Sequence, residues 1–171
     1  METQRRTLVL VRHAKAEDYG PSDHARALTD RGRRDAADVG RRLGAAQIVP
    51  SQALVSDALR TQQTYQEIAS AAVLDAALVS SAALYAAGPD TALDLIRETD
   101  DAVATLLVVG HNPTMAYLAQ ALDDGEGNLE ASTAMVAGFP TSACAVFTVT
   151  GSWIDLRAAT TSLVDFWVGR G

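Results

Sequence analysis

Uninterrupted runs of apolar residues that stop at a polar residue mark the strands of this chain. The two strongest runs, residues 7–11 and 104–109, consist mostly of aliphatic and β-branched side chains. Such runs are typical of strands that are buried on both faces of a parallel sheet. Weaker runs at residues 52–55 and 78–80 predict two further strands, and residues 143–150 predict a fifth.

The segments between these strands have the signals of helices. Thr29 is the expected N-cap of a helix over residues 30–45, in which apolar positions recur at helical spacing. Ser56 and Asp57 are predicted to cap a second helix over residues 58–72. Two more helices are expected, over residues 91–98 and directly after Pro113.

The last third of the chain is predicted to be less regular. Residues 123–130 are glycine-rich and acidic, which indicates a surface loop. A turn at residues 151–152 predicts that residues 153–156 form the hairpin partner of the preceding strand, and the apolar tail over residues 158–168 is expected to pack back on the core. The alternation of strands and helices predicts an α/β fold, a three-layer αβα sandwich with a mostly parallel central sheet, with residues 1–171 as a single domain.

Charge and composition narrow the classes of function. The formal net charge of −7 and the isoelectric point near 4.8 argue against nucleic acid or an anionic membrane as a general partner. A hydrophobic fraction of 48% with 20% charged residues is typical of a soluble globular protein. The single cysteine, Cys144, excludes an internal disulfide, and no apolar run suits a signal peptide or a membrane span. A cytoplasmic location is therefore expected.

Polar side chains suited to catalysis follow three of the predicted strands. Arg12 and His13 end the first strand, Arg60 lies just beyond the second, and His111 follows the strand over residues 104–109. Because the carboxyl ends of parallel strands lie at one edge of a sheet, these side chains are expected to converge. Two arginines and two imidazoles in one pocket favour phosphate chemistry, since guanidinium groups match phosphate oxygens and a neutral histidine is a nucleophile.

Each of these residues also has an ordinary structural explanation. A histidine at a strand end is more often a hydrogen-bonded structural residue than a catalyst, and an arginine such as Arg60 in a first helical turn is usually a solvated charge. Metal binding by His13, His24 and His111 is disfavoured, because no metal-ligand spacing is present and the arginines would repel a cation. The case for function therefore depends on the conjunction of three strand ends.

Four motifs, in order along the chain, resemble those of the histidine phosphatase superfamily, and within it the small SixA-type phosphohistidine phosphatases. The motifs are Leu10-Val11-Arg12-His13-Ala14, Arg26-Ala27-Leu28-Thr29-Asp30-Arg31-Gly32, Val55-Ser56-Asp57-Ala58-Leu59-Arg60-Thr61-Gln62-Gln63-Thr64 and Val108-Val109-Gly110-His111-Asn112-Pro113. They match the family patterns R-H-G/A, R-x-L-T-x-x-G, S-x-x-x-R-x-x-x-T and V-x-G-H-N-P. The resemblance extends from residue 7 to about residue 122, more loosely beyond, and implies the phosphoglycerate mutase-like fold.

The resemblance implies a catalytic role for the strand-end residues. His13 would attack phosphorus and become transiently phosphorylated, and water would then hydrolyse the phosphohistidine. Arg12, Arg60 and His111 would hold the phosphoryl oxygens and stabilise their charge. Asn112 joins this phosphate-binding set. No metal and no other cofactor is implied.

The chain departs from the superfamily at the position of the acid that protonates the leaving group. Most members carry a glutamate after the third strand, whereas residues 83–88 contain no carboxylate here. An imidazole that leaves from phosphohistidine is far less basic than an alkoxide, so the missing acid favours a phosphoramidate or another activated substrate. Asp23 is the best substitute proton donor, followed by Glu17 and Asp18.

Arg26 lies in the loop before the first predicted helix and has two explanations. It is a second-tier candidate for contact with the substrate or its phosphate. An ion pair with Asp23 or Asp30 explains the residue equally well. The sequence leaves both explanations open.

The residues taken together favour a metal-independent phosphatase with a protein phosphohistidine as its substrate. A phosphatase of a small phosphorylated metabolite is an alternative within the same chemistry. A non-catalytic module that binds phosphate or a phosphoprotein is the alternative from another class. The expected partner is a phosphorylated substrate, without nucleic acid or membrane, and the sequence predicts no oligomeric state.

Overall fold

Six strands form one mixed sheet in the computed structural model of the chain, which describes residues 4–171. The strands are β1 (Arg5–Arg12), β2 (Gln52–Ser56), β3 (Ala77–Ser81), β4 (Thr105–Gly110), β5 (Ala143–Thr150) and β6 (Thr161–Val168). The helices are α1 (Asp30–Ala45), α2 (Leu59–Ala72), α3 (Ala82–Tyr85), α4 (Pro89–Arg97), α5 (Thr114–Leu122) and α6 (Leu129–Ala137), with a short 3-10 helix at Trp153–Asp155. The order of the strands across the sheet is β3-β2-β4-β1-β5-β6.

β1 is paired along both of its edges. It runs parallel to β4, with Leu10 opposite Val108, and antiparallel to β5, with Leu10 opposite Ala145. β2 and β3 extend the sheet in parallel beyond β4, while β6 pairs antiparallel with β5. The first four strands are therefore parallel, with their carboxyl ends at one edge, and the prediction of a mostly parallel sheet is confirmed.

The side chains of β1 alternate between two hydrophobic cores, one on each face of the sheet. Leu8 and Leu10 pack with α4, α5 and α6, whereas Val9 and Val11 pack with α1 and α2. All four are completely buried, and each such burial contributes about 1.5–3 kcal/mol. Burial on both faces explains why the run is uninterrupted, and helices on both faces confirm the predicted three-layer αβα sandwich.

The start and the packing of α1 follow from its sequence. Thr29 Oγ1 accepts a hydrogen bond of 2.9 Å from Gly32 N, so the predicted N-cap is confirmed. Gly40 allows α1 to lie directly against α2, because a Cβ at this position would be 2.5 Å from Ile68 O. The apolar face of α1 is therefore placed on the sheet with α2 beside it.

The predicted cap of α2 is wrong. Ala58 is the N-cap residue, and no side chain caps the helix. The Ser56 hydroxyl lies 2.8 Å from His111 Nε2 instead, and the Asp57 carboxylate lies 2.9 Å from His24 Nε2. Both side chains contact histidines that are remote in sequence, which a local capping rule does not anticipate.

Residues 153–156 are not the hairpin partner of β5, so this prediction is also wrong. Trp153 begins the 3-10 helix, is completely buried, and donates from Nε1 to Val103 O at 2.9 Å. The strand that follows β5 along the chain and pairs with it is β6, which lies in the tail that the sequence predicts only to pack on the core. Burial of the large indole outweighs the local turn signal.

The sequence does not predict α6, which begins inside the expected loop over residues 123–130. Asn128 caps this helix, because its Oδ1 accepts a hydrogen bond of 3.1 Å from Ala131 N. Only Ala131 and Met135 of α6 are buried, so its apolar periodicity is weak. Among residues 4–171, no helix combines the length and the apolar character that crossing a membrane requires.

Candidate active site

The carboxyl ends of β1, β4 and β2 lie side by side at one edge of the sheet. Arg12 is the last residue of β1, His111 directly follows β4, and Arg60 lies in the first turn of α2 after β2. His13 N donates to Gly110 O at 3.0 Å and so continues the pairing of β1 with β4. The four strand-end side chains line one pocket, hereafter the central pocket.

The central pocket has a volume of about 560 Å³. Besides the strand-end residues, its walls include four residues that the sequence singles out: Asp18, Asp23, Arg26 and Asn112. They also include three that the sequence analysis does not assign to the site: Lys15, Tyr85 and Thr141. The fold therefore brings every candidate site residue except Glu17 to the same place.

His13 is held as a neutral imidazole with a free Nε2. Its Nδ1 lies 2.8 Å from Ala14 O, and because a carbonyl only accepts hydrogen bonds, Nδ1 carries the proton. Burial lowers the pKa of His13 to about 3, with smaller contributions in the same direction from His111, Arg60 and Arg12, while the bond to Ala14 O opposes the shift. The ring is therefore in the protonation state that a nucleophile requires near neutral pH.

Arg12 and Arg60 each have a buried guanidinium nitrogen without a partner. The Nε atoms of both side chains make no hydrogen bond. Arg12 Nη1 donates to Phe139 O at 3.2 Å, and burial lowers the pKa of Arg12. A buried donor left unpaired costs about 1–3 kcal/mol, and more when it is charged. An anionic ligand that contacts these two groups would offset that cost.

Three motif residues on or before α2 tie this helix to the neighbouring strand ends. Thr64 Oγ1 accepts from Ala14 N at 3.0 Å and donates to Arg60 O at 2.7 Å. Ser56 Oγ lies 2.8 Å from His111 Nε2. In this motif, Ser56 therefore positions the His111 ring, and Thr64 holds both the backbone that follows His13 and the backbone of Arg60.

His111 is also neutral in the free protein. Burial lowers its pKa to about 4, and the charge of Arg60 acts in the same direction. Its ring centroid lies 5.3 Å from that of His13, with an angle of 56° between the ring planes. Two neutral rings can lie this close without the repulsion that two imidazolium ions would experience.

A second motif places α1 against the backbone that follows His13. Lys15 O accepts hydrogen bonds from Thr29 N at 2.9 Å and from Thr29 Oγ1 at 3.2 Å. A Cβ at Gly32 would lie 2.1 Å from Lys15 O, so this contact requires glycine. Leu28 is buried beside it. These residues hold the loop of the central pocket to the first helix.

Arg26 and Asn112 line the central pocket, but both have partners within the protein. Arg26 donates to Asp23 Oδ1 at 3.1 Å and to Glu17 O at 2.8 Å, which agrees with the structural ion pair considered from the sequence. Asn112 Nδ2 donates to Phe139 O at 2.8 Å. In the free protein these side chains hold the pocket walls together, and contact with a ligand would require exchange of those bonds.

Asp23 is ionised where the sequence suggests a proton donor. Tyr85 Oη donates to Asp23 Oδ2 at 2.5 Å, and Arg26 and Arg60 donate to the same carboxylate. The bond from Tyr85 is the largest cause of a pKa lowered to about 2. A carboxylate that is ionised near neutral pH has no proton to give, so the geometry disfavours Asp23 as the donor.

Tyr85 is a pocket residue that the sequence does not predict. Its ring lies edge-on to His111, with centroids 5.5 Å apart, and edge-on to His24 at 5.0 Å. The hydrogen bond to Asp23 raises the pKa of the phenol above its ordinary value, so the hydroxyl keeps its proton. The sequence holds one signal for it, because Tyr85 is the only polar side chain in residues 83–88, the stretch where the resemblance to the superfamily leads one to expect a glutamate.

The charge in the central pocket suits an oxyanion better than a cation. The deeply buried groups are basic, with Arg60 only 6% exposed, whereas the Asp23 side chain is 56% exposed. Within residues 4–171, no three histidine, cysteine or carboxylate side chains are placed to hold a metal ion. His24 is paired with Asp57 rather than with the other two histidines. The arrangement can bind a tetrahedral oxyanion beside a neutral imidazole nucleophile.

Comparisons with known proteins agree with this geometry. The family model of the histidine phosphatase superfamily (branch 1) matches residues 8–83. An uncharacterized protein of Mycobacterium tuberculosis is 38% identical over 162 residues, which are 94% of this chain and 100% of that protein. A candidate phosphohistidine phosphatase SixA from Nakamurella multipartitia is 30% identical, with a TM-score of 0.86 and 96% of each chain covered. Another from Agrobacterium tumefaciens is 30% identical, with a TM-score of 0.80 and 95% and 97% covered.

These likenesses include the C-terminal third, where the motif resemblance is loose. The arrangement of the mostly parallel sheet and its helices is that of the phosphoglycerate mutase-like fold, as the resemblance predicts. The likeness to the SixA structures extends over almost the whole chain. The chain therefore belongs to the histidine phosphatase superfamily.

Proposed function

We propose that this protein is a phosphatase in which His13 Nε2 accepts a phosphoryl group from the substrate and then passes it to water. The observation that carries the proposal is the hydrogen bond between His13 Nδ1 and Ala14 O. This bond places the ring proton on Nδ1 and leaves the electron pair of Nε2 free. The nucleophile is therefore oriented and unprotonated before the substrate binds.

The proposed reaction has two displacements at phosphorus. In the first, the electron pair of His13 Nε2 forms a bond to phosphorus while the bond to the leaving group breaks, and the leaving group takes that electron pair. In the second, the oxygen of a water molecule attacks phosphorus, the P–N bond breaks, and Nε2 recovers its electron pair. The product leaves as dihydrogen phosphate with both protons of the water, or after it releases one of them to solvent. Neither displacement calls for a metal ion, since the pocket supplies its own cations.

Arg12, Arg60 and His111 are the proposed ligands of the three phosphoryl oxygens. The partnerless Nε atoms of the two arginines support this role, because an oxyanion would give them acceptors. Loss of one such contact is expected to lower kcat by about 10²–10³-fold, as for other preorganised oxyanion donors. Arg26 and Asn112 are proposed to orient the walls and to contact phosphate only after they exchange their present partners.

The proposed substrate is a phosphohistidine carried by a protein, in the cytoplasm. Two features support this substrate: residues 83–88 contain no carboxylate, and Asp23, the nearest substitute, is ionised. An imidazole leaving group needs less protonation than an alkoxide. The two structural neighbours at 30% identity are candidate phosphohistidine phosphatases, and the one cysteine, Cys144, is buried and unpaired, which suits a reducing compartment.

A small phosphorylated metabolite is the second candidate substrate. Lys15 and Arg26 favour it, because both line the central pocket beside the strand-end residues and could contact further charged groups of a small molecule. Comparison of kcat/KM for phosphohistidine proteins with kcat/KM for a panel of phosphorylated metabolites decides between the two classes. A much higher value for the metabolites would overturn the phosphohistidine assignment and leave the catalytic proposal intact.

The catalytic proposal is tested by trapping the phosphorylated enzyme. The protein is mixed with radiolabelled phosphoramidate or phosphohistidine, quenched within milliseconds, and examined for label that is stable in alkali and labile in acid, as a phosphohistidine is. We expect label on the wild type and none on His13→Ala. His24→Ala is the matched control, because His24 is half-exposed and lies outside the lining of the central pocket. A folded His13→Ala protein that still turned over substrate would refute the proposal, and phosphate binding without turnover by the wild type would identify a binding module.

A further inference from the structure

A second cleft adjoins the central pocket on the side of α1. It has a volume of about 230 Å³ and is lined by Lys15, Arg31, Asp35, Thr141 and Arg170. This group of residues is hereafter the side cleft. Lys15 and Thr141 line the central pocket as well, so a ligand in one cavity can extend into the other along these two side chains.

Close packing of α1 against the backbone of Lys15 brings two cations of the side cleft, Lys15 and Arg31, together. The backbone of Lys15 is held to the start of α1 by the hydrogen bond from Thr29 N to Lys15 O at 2.9 Å. Gly32 makes this approach possible, because a Cβ there would lie 2.1 Å from Lys15 O. Arg31 is the residue before Gly32, so the same contact that positions the nucleophile loop also places Arg31 beside Lys15.

Arg170 reaches the side cleft through a separate set of bonds. Gly169 N donates to Ser142 O at 2.9 Å, and a Cβ at Gly169 would lie 2.3 Å from Asp35 O. Arg170 N then donates to Asp38 Oδ2 at 2.9 Å. These two hydrogen bonds and the close approach at Gly169 hold the segment after β6 against α1, so the backbone of Arg170 is fixed by the fold.

The side cleft has an excess of positive charge. Asp35 is its only carboxylate, and the side chain of Asp35 is 3% exposed. Arg31 Nε and Arg170 Nη1 lie 3.7 Å and 3.8 Å from Asp35 Oδ2, which is longer than a hydrogen bond. Among residues 4–171, Lys15 has no ion-pair partner. One carboxylate therefore opposes three cations in a protein whose net charge is −7.

We propose that the side cleft is a binding subsite for a second anionic group, a carboxylate or a phosphate, of the same substrate that places its phosphoryl group in the central pocket. The proposal rests on the proposed function to the extent that the central pocket holds a phosphoryl group. Lys15 is the bridging residue, while Arg31 and Arg170 set the preference for the second anion. On a protein substrate, the group would be an acidic side chain close to the phosphorylated residue.

The binding of inorganic anions tests the subsite by affinity, and His13→Ala, which lacks the proposed nucleophile, provides a background in which tripolyphosphate is not hydrolysed through a phosphohistidine. Calorimetry gives the Kd of orthophosphate, which is too small to span both cavities, and of tripolyphosphate, which can reach from the central pocket into the side cleft. We expect tripolyphosphate to bind the wild type about tenfold more tightly or better. Arg31→Gln and Arg170→Gln should each remove most of this advantage and leave the Kd of orthophosphate within about twofold. Arg157→Gln removes the same charge from an exposed site outside both cavities and should change the Kd of neither anion.

Lys15→Gln guards against a failure to fold, because it leaves the buried Asp35 carboxylate with both arginines. It should also lower the ratio of the two affinities. Equal Kd values for the two anions in the wild type, or a ratio that survives all three substitutions, would overturn the subsite. The Kd values of the two anions can also be measured on His13→Ala, which forms no phosphohistidine. The subsite can therefore be confirmed or refuted independently of the trapping experiment.

The source of the second anion is assigned with two pairs of substrates. One pair is a phosphohistidine peptide with glutamate or with glutamine beside the phosphorylated residue. The other pair is a hexose bisphosphate and the corresponding monophosphate. A preference for the glutamate peptide that Arg31→Gln abolishes places the anion on a protein substrate, and a preference for the bisphosphate alone places it on a metabolite. The absence of both preferences counts against the subsite.

Discussion

The Asp23 carboxylate lies 2.5 Å from the Tyr85 hydroxyl, and this hydrogen bond joins the loop before α1 to the short helix after β3. The same carboxylate accepts from Arg60, a buried residue of the central pocket, at 3.2 Å. The side chain that the sequence offers as a proton donor is thus a stable anion that holds a pocket arginine. In residues 83–88, the stretch where the resemblance to the superfamily leads one to expect a glutamate, the only polar side chain is the Tyr85 phenol, which donates a hydrogen bond to that anion.

Tyr85→Phe is expected to raise the pKa of Asp23 from about 2 toward its ordinary value, because the bond from Tyr85 is the largest cause of the shift. Carboxyl carbon shifts of Asp23, followed by NMR from acid to neutral pH, measure the change. Tyr117→Phe alters an exposed tyrosine on α5 and serves as the control. An unchanged titration in Tyr85→Phe would show that the arginines alone keep Asp23 ionised.

Asp23→Asn tests whether this residue protonates the leaving group. Loss of a general acid lowers kcat by about 10²–10⁴-fold, and the loss grows with the basicity of the leaving group. We expect instead that kcat for phosphohistidine stays within about threefold of the wild type, because the imidazole needs little protonation. For a series of aryl phosphates, log kcat plotted against the pKa of the leaving group should give lines of equal slope for the wild type and for Asp23→Asn. A steeper line for Asp23→Asn would restore the donor role.

The four central residues of the pocket could be predicted because each one follows a strand. Arg12, His13 and His111 are at or directly after the ends of buried apolar runs, and the parallel topology requires these ends to share an edge. Tyr85 could not be found in this way. Its contacts with Asp23 and His111 join segments that are far apart in sequence, and no periodic pattern encodes them.

The same reason explains the errors in the fold. Trp153 follows a turn, and local rules therefore favour a hairpin, but burial of its ring against Val103 decides the structure. α6 has too few buried residues to produce an apolar period. Local patterns thus predict β1 to β5 and α1, whereas α6, β6 and the segment at Trp153 depend on which residues fill the core.

Thr64→Val is expected to weaken both the fold and catalysis. The substitution keeps the shape but leaves Ala14 N, the amide after His13, without its acceptor at 3.0 Å. A buried unpaired N–H costs about 1–3 kcal/mol, which urea unfolding measures. Because the nucleophile loses its support, kcat should fall more than KM changes. Thr133→Val on exposed α6 removes a comparable bond to Leu129 O and should leave kcat unchanged.

Gly32→Ala and Gly44→Ala are expected to act in opposite directions, although both lie in α1. A Cβ at Gly32 would lie 2.1 Å from Lys15 O, so the helix must move away from the nucleophile loop. At Gly44 the nearest atom would be 3.9 Å away, and alanine should stabilise the helix by up to about 1 kcal/mol. Thermal unfolding and kcat of the two variants measure the difference. Equal stability would mean that the contact with Lys15 can relax at little cost.

The stability of the protein should fall as the pH drops from about 6.5 toward 4, and His13 is one cause. The unfolded chain protonates His13 near 6.5, whereas the folded protein does so only near pH 3. Between these values the unfolded state binds more protons, so each such histidine lowers the free energy of unfolding by about 1 kcal/mol for every pH unit of acidification. His13→Gln removes one group whose proton binding differs between the two states, so it should flatten this dependence in urea unfolding at pH values of about 7, 5.5 and 4.5. His111→Gln should act likewise, because the pKa of His111 is lowered to about 4. If the free energy of unfolding depended on pH in both variants as steeply as in the wild type, the neutral state of His13 on which the nucleophile depends would be contradicted.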